Sequence, residues 1–293
     1  MYDQTDRLDG GVSIEVPASM AFETDKTLLE VKRLRSLVDR PNVLVKIPAT
    51  AEGVEAIRHS ISRGFSINVT LIFSIDRYRE VMEAYLAGLE ELIERRKAGE
   101  DLPEPASVRS VASFFVSRVD TKVDKRLDEK LAQTEDEERR RLLQSLKGHA
   151  AVDNARLAYQ AFQETFAGER WERLAAAGAR MQRPLWASTS TKNPEYRDVL
   201  YVEELIGPHT VNTMPQNTLD AFREHGEVRG DTVLEDVDGA QSRLEALAEA
   251  GIDMKEVTAE LEVEGVKAFA DSHDEMYRAV EEKRRQMAEG KSR

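Results

Sequence analysis

Val43-Leu44-Val45-Lys46-Ile47-Pro48 sets one cation inside a run of aliphatic residues. Branched and aliphatic side chains pack well on a pleated surface, so the run reads as a buried strand. A buried ammonium is costly unless it is paired or gives up its proton. A lysine in that position lowers its pKa, becomes a free amine and attacks carbonyls to form Schiff bases. The alternative is a lysine that guards a sheet edge against strand addition. This stretch by itself leaves the two readings level.

Upstream, Val12-Ser13-Ile14-Glu15-Val16 alternates with the period of a strand, and Pro17 ends it. Ser13 and Glu15 share one face. Leu28, Leu29, Val31, Leu34 and Leu37 recur at helical spacing between Thr24 and Val38, and Pro41-Asn42 turns the chain into the lysine strand. Downstream, Thr50 is a helix N-cap, and Val54, Ile57 and Ile61 mark one helical face that ends at Gly64. The run 66–73 is a strand with Asn68 and Thr70 on one face, and Ser74 caps the next helix. The run 110–117 is another strand, closed by Arg118. Taken alone, Arg118 reads as a solvated strand-end residue paired with Asp120.

An amphipathic helix follows over 120–131, and the charge run 133–141 reads as an exposed insertion. Helices are predicted over 151–166 and 171–177. A compact strand at 184–188 leads into a polar loop that carries Lys192. A last short strand lies at 210–213, after a helical turn over 201–206. A helix opens at Thr218, and helices over 239–250 and 258–287 close the chain, rich in Glu and Lys. Their acidic faces read as solvated.

Bulk properties exclude several classes. The 293 residues suffice for one large domain or two small ones. There is no cysteine, so disulfides, thiol catalysis and thiolate metal sites are ruled out, in keeping with a cytoplasmic location. The net charge of −13 argues against general affinity for nucleic acid, although a local basic pocket stays open. No apolar run approaches the ~20 residues that cross a bilayer, so no membrane association is expected. The five histidines lack metal-ligand spacing, and no metal is expected. The polar, acidic N-terminus is no signal peptide.

Six strands alternating with helical segments predict an α/β fold with a parallel sheet. Each strand carries polar residues near its C-terminal end, where a parallel barrel builds its active site. An open doubly wound sheet is the alternative. The sequence has no GxGxxG or Walker A pattern, which weakens that option and removes dinucleotide and NTP readings.

Six stretches together resemble the transaldolases: SIEV (13–16), VLVKIPAT (43–50), SINVTLIFS (66–74), SVASFFVSRVD (110–120), RPLWASTSTKNP (183–194) and TVNTMP (210–215). The likeness is to stand-alone bacterial forms with a helical C-terminal tail and runs from about Gly11 onward. It implies a TIM (β/α)8-barrel of the class I aldolase type, without cofactor. It implies transfer of a dihydroxyacetone unit from sedoheptulose 7-phosphate to glyceraldehyde 3-phosphate, giving erythrose 4-phosphate and fructose 6-phosphate in the non-oxidative pentose phosphate pathway. The family's Schiff-base lysine falls on Lys46 and its glutamate, which works with a bound water, on Glu15. The Asn and Thr of the following strand fall on Asn68 and Thr70. Ser113 and Arg118 match its next serine and its phosphate-binding arginine, and Ser188 a further serine. A second phosphate-binding arginine has no counterpart, and Lys192 is the nearest cation.

The chemistry of these residue types agrees. Cleavage of a carbon–carbon bond beside a ketone needs an electron sink, which an iminium on Lys46 supplies. Glu15 with a water can shuttle protons. Asn68, Ser113 and Ser188 can hydrogen-bond the substrate, and Arg118 and Lys192 can hold phosphate as a planar fork and a point charge.

One departure shapes the expected architecture. In the family two strands precede SIEV, the first with an aspartate acid/base, the second with a TNP-type motif. Only ten residues precede Gly11 here, so Met1 reads as an internal start, from a mis-called gene model or a truncated gene. Six strands cannot close an eight-stranded barrel without changing tilt and stagger. The expectation is one barrel-derived domain over 1–293, an open six-stranded horseshoe with a helical tail over about 239–293. Its open edges favour a homo-oligomer or aggregation. Exchange activity is expected to be weak, since a general acid/base contributes ~10²–10⁴-fold. Two other functions compete: a fructose 6-phosphate aldolase that cleaves without transfer, and a non-catalytic remnant that serves as an interaction module.

Overall fold

A computed structural model describes residues 1–290. Its strands are β1 (Val12–Glu15), β2 (Val43–Pro48), β3 (Ile67–Ile72), β4 (Ser110–Phe115), β5 (Arg183–Ala187) and β6 (Val211–Asn212). Its helices are α1 (Thr24–Val38), α2 (Ala51–Ile61), α3 (Ile75–Lys97), α4 (Ser117–Ala132), α5 (Glu137–Ser145), α6 (Ala150–Thr165), α7 (Glu169–Ala176), α8 (Leu200–Glu203), α9 (Gln216–His225), α10 (Val237–Glu249) and α11 (Met254–Gly290).

The strands form one parallel sheet in the order β1-β2-β3-β4-β5-β6. Among the described residues β1 and β6 are each paired on one side only, so the sheet is the open half-barrel that the strand count predicts. Parallel neighbours need crossovers, and helices supply them. The lysine strand β2 lies between β1 and β3, which excludes the edge-guard reading of Lys46.

One core fixes the layers. The outward-facing residues of the inner strands, Val45, Ile47, Ile67, Val69, Ala112 and Phe114, are all fully buried beneath the helices. Phe114 meets Trp186 edge-to-face with ring centres 6.1 Å apart, and such pairs add about 0.5–1.5 kcal/mol beyond area burial. Thr50 and Ser74 cap α2 and α3 as their residue types require, accepting from Gly53 N and Arg77 N. A Cβ at Gly88 would stand 2.8 Å from Ile61 Cβ and Arg58 O, so this helix-interior glycine sets how closely α3 packs on α2.

Two expectations are corrected. Arg118 does not close β4; it lies in the first turn of α4. The ladder continues beyond the strand, with Val116 N bonding Ala187 O and Ser117 N bonding Ser188 O, both at 3.0 Å. Val116 has meanwhile turned to φ −105°, ψ −75°, which starts the helix. The charge run 133–141 is exposed over most of its length, as expected, and α5 begins within it and buries Leu143 just beyond it. The predicted tail runs as α10 and α11, and α11 opens four residues before Thr258, at Met254. The last part of that tail, 291–293, lies outside the described residues.

The tail does more than solvate the chain end. A Cβ on Gly265 would meet Leu71 Cδ2 at 3.0 Å and Phe73 Cε2 at 3.3 Å, so α11 crosses close over the C-terminal end of β3. Lys122 Nζ binds both Glu260 and Glu264 at 2.6 Å, and Arg126 reaches Glu256 and Glu260 at 3.1 and 2.8 Å. These pairs tie α11 to α4.

Candidate active site

Glu15 and Lys46 are register partners on β1 and β2, so their side chains rise from the same concave face. Lys46 Nζ lies 2.8 Å from Glu15 Oε1. The lysine side chain is 21% exposed and the glutamate 46%. The premise of a charge sealed in an apolar layer is therefore corrected. β2 is buried, but Lys46 points off the sheet into the hollow of the half-barrel, and its ammonium is stabilised by a partner. The ring of Phe269, from α11, sits 5.2 Å from Nζ on another side.

Asn68 is the register partner of Lys46 on the other flank. Its amide is clamped from both ends. Nδ2 donates to Ser13 Oγ at 2.9 Å, and Oδ1 accepts from Ser113 Oγ at 2.7 Å. This relay spans β1, β3 and β4 on the lysine's face of the sheet. Asn68 and Ser113 are buried, so the amide holds one orientation.

Thr70 pairs with Pro48 in register and is buried, yet its Oγ1 has no hydrogen-bond partner among the described residues. A hydroxyl left in that state is costly. The irregularity in the β3–β4 register falls between Val69 and Ile72, and Leu71 within it has φ 59°. Bulges of this kind re-aim side chains next to active sites. Ser188, just beyond β5, also lies in the left-handed region, at φ 58°. Its Oγ is 2.9 Å from Ser117 Oγ, at the start of α4. Two non-glycine residues thus hold strained backbone at the same pole of the sheet.

Arg118 lies half-buried over the Phe115 ring, 5.4 Å from its centre. Burial pushes its guanidinium pKa down, and the Glu264 carboxylate opposes this. Its expected pairing with Asp120 does not occur. Asp120 instead accepts from Ala151 N at 2.7 Å and Tyr201 OH at 2.8 Å. Lys192 is exposed on the loop between β5 and α8 and makes no hydrogen bond or ion pair among the described residues.

The hollow holds a cavity of about 450 Å³, and of the predicted residues Lys46, Asn68 and Ser113 line it. Glu15 faces a second cavity of about 540 Å³, shared with Phe269, His273 and Met276 of α11. The acid and the amine therefore meet at the boundary of the two spaces. Sequence reasoning missed Phe269 and Ser117. The fourfold spacing of Gly265 and Phe269 on one helix face was the available signal for Phe269. Among the described residues no cluster of three His, Asp or Glu is placed to hold a metal ion.

A parallel α/β half-barrel with a lysine and its carboxylate on the concave face is of the TIM-barrel type. The family model described as "Transaldolase/Fructose-6-phosphate aldolase" matches residues 2–280, and the chain belongs to that family. It is 53% identical to transaldolase 1 of Streptomyces avermitilis over 280 residues, covering 96% of this chain and 70% of that protein. It is 52% identical to the transaldolase of Thermobifida fusca over 276 residues, 94% of this chain and 71% of the other. The transaldolase of Mycolicibacterium paratuberculosis is 51% identical over 287 residues, 98% and 72% of the two chains.

Proposed function

We propose that this chain is a transaldolase, moving a dihydroxyacetone unit from sedoheptulose 7-phosphate to glyceraldehyde 3-phosphate in the non-oxidative pentose phosphate pathway of the cytoplasm. The observation that carries the reading is the 2.8 Å pair between Lys46 and Glu15, beside the clamped Asn68 amide. The whole chain acts as one domain in this reading, supported by its continuous core.

The ammonium of Lys46 first hands a proton to Glu15, directly along the existing hydrogen bond or through a water. The free amine adds to the ketone carbon, and loss of water leaves an iminium. That cation takes the electron pair of the breaking carbon–carbon bond as erythrose 4-phosphate departs. The resulting enamine attacks the aldehyde of glyceraldehyde 3-phosphate, and hydrolysis releases fructose 6-phosphate and restores Lys46. Asn68 and Ser113 hold the carbinolamine and the substrate hydroxyls. The unpartnered Thr70 hydroxyl is suited to the water that shuttles protons with Glu15. Ser188 contributes a further hydrogen bond. Arg118 takes the phosphate, with the exposed Lys192 swinging in as a second cation.

Glu15 is the acid that the described strands place on the concave face, suited to exchange protons with the substrate through water. Borohydride reduction with fructose 6-phosphate present tests the reading. A mass adduct on the Lys46 peptide, lost in Lys46→Ala, is expected. Its absence from the wild-type chain sinks the Schiff-base mechanism and favours an interaction module. Free dihydroxyacetone in place of transfer product would reassign the chain as an aldolase.

A further inference from the structure

The cavity beside Lys46 continues toward the N-terminal ends of the strands, and there its lining becomes basic. Arg7, Arg109, Arg180 and Arg183 all border it. Arg109 directly precedes β4, Arg183 opens β5, Arg180 stands on the loop before it, and Arg7 lies in the N-terminal turn at φ 63°. Two carboxylates answer them, both at long range. Asp6 Oδ2 is 3.5 Å from Arg180 and Asp9 Oδ1 is 3.4 Å from Arg183. Those acids are 86% and 55% exposed, whereas the two guanidiniums are 28% and 23% exposed. Backbone carbonyls hold both cations at the cavity's edge: Arg183 donates to His209 O, Leu8 O and Thr210 O, and Arg180 to Ala106 O and Asp6 O.

Among the described residues Arg109 has no carboxylate partner. Its Nη2 donates to Leu8 O at 2.7 Å and its plane lies over the Tyr2 ring, but Nη1 is buried without any hydrogen-bond partner. Burial pushes its pKa down, the Tyr2 phenol opposes this, and the charges of Arg180 and Arg183 add a smaller push downward. The exposed Arg7 side chain makes no hydrogen bond or ion pair among the described residues, its backbone N–H bonding Tyr2 O at 2.9 Å. Four guanidiniums thus converge on one end of a cavity in a chain whose net charge is −13. Like charges held together, with an orphaned buried donor between them, are unfavourable unless an anion joins them. A guanidinium fork matches the geometry of phosphate oxygens.

We propose that this basic end of the half-barrel is a phosphate-binding site, taking a phosphate dianion between Arg7, Arg109 and Arg180. It lies at the pole opposite Arg118 and Lys192, which stand beyond the C-terminal ends of the strands. The ligand class is a phosphate monoester or free phosphate. A monoester whose organic part lies along Leu44 and Val111 binds more tightly than the free anion.

Calorimetric titration of the full chain with inorganic phosphate, and separately with glycerol phosphate, at constant ionic strength set by chloride, tests this. Saturable binding is expected to persist in Arg118→Gln, which removes only the phosphate site at the other pole, and that persisting binding is weakened at least ~10-fold when Arg109→Gln is added. Arg109 also anchors Leu8, so Arg7→Gln is the second probe; with no side-chain bonds to lose, it keeps the fold and still weakens binding. Glycerol phosphate binding more tightly than phosphate assigns the monoester as ligand, and equal affinity assigns the free anion. No saturable binding above the chloride control overturns the proposal. So does binding lost in Arg118→Gln but kept in Arg7→Gln and Arg109→Gln.

Discussion

Lys46 Nζ stands 5.2 Å from the centre of the Phe269 ring, so the last helix of the chain forms part of the wall around the amine. A cation at that distance is attracted by the ring quadrupole, by about 0.5–1 kcal/mol at exposed sites. The ring also shields one side of the Lys46–Glu15 pair from water. Phe269→Ala is expected to slow borohydride-trapped adduct formation about 2–5-fold, the rate equivalent of that energy. Phe269→Leu keeps apolar cover without the quadrupole and falls between. Equal trapping rates in all three proteins would remove Phe269 from the site.

The wall depends on ion pairs some distance from the lysine. Lys122 and Arg126 hold α11 through Glu256, Glu260 and Glu264. Each such pair is worth about 0.2–1 kcal/mol and is screened by salt. The double variant Lys122→Ala/Arg126→Ala is expected to speed amide exchange across residues 258–270 by roughly 5–30-fold, the factor that matches about 1–2 kcal/mol. Exchange in the wild-type chain at 1 M salt is expected to move the same way.

The clamped amide gives a stability prediction. Ser113→Ala leaves Asn68 Oδ1 buried without its donor, which costs about 1–3 kcal/mol. Urea melts of Ser113→Ala, Asn68→Ala and the double variant form a cycle, with a coupling energy of about 1 kcal/mol expected. Strict additivity would show that the hydrogen bond contributes nothing.

Asp120 predicts a pH dependence with a definite sign. Burial, reinforced by the nearby Asp124 and Asp153 charges, pushes its carboxyl up to about 7, against the hydrogen bonds from Ala151 N and Tyr201 OH. In the unfolded chain it titrates near 4. Between those values the folded state binds the extra proton, so this group's contribution is greatest at low pH and is lost as pH rises from about 4 to 7. Asp120→Asn is expected to gain stability relative to wild type at pH 8, by on the order of 1–3 kcal/mol, and to gain little at pH 5. Thermal melts of both proteins at the two pH values measure this.

Strand positions and most helix positions were legible because β-branched runs and helical stripes are local signals. Lys46 was legible as an anomaly but not in its resolution. Period and hydropathy give the strand, whereas the direction of its concave face depends on sheet curvature, which no single strand encodes. Arg118 was misplaced by two residues of continued backbone pairing beyond β4, which look like strand in sequence and are already helical in dihedral angle. Phe269 was hidden because α11 is polar on most of its surface and touches the sheet only where Gly265 lets it approach. The basic end of the cavity could not be read from the sequence either. Arg7 is far from Arg109, Arg180 and Arg183 along the chain, and only the fold brings them together.

The two borders of the sheet are unequal. β6 contributes two residues and β1 contributes four, with Val12 54% exposed at its start. A very short strand offers too few free amides and carbonyls to template another. Among the described residues the β6 border is therefore the poorer template for a further strand.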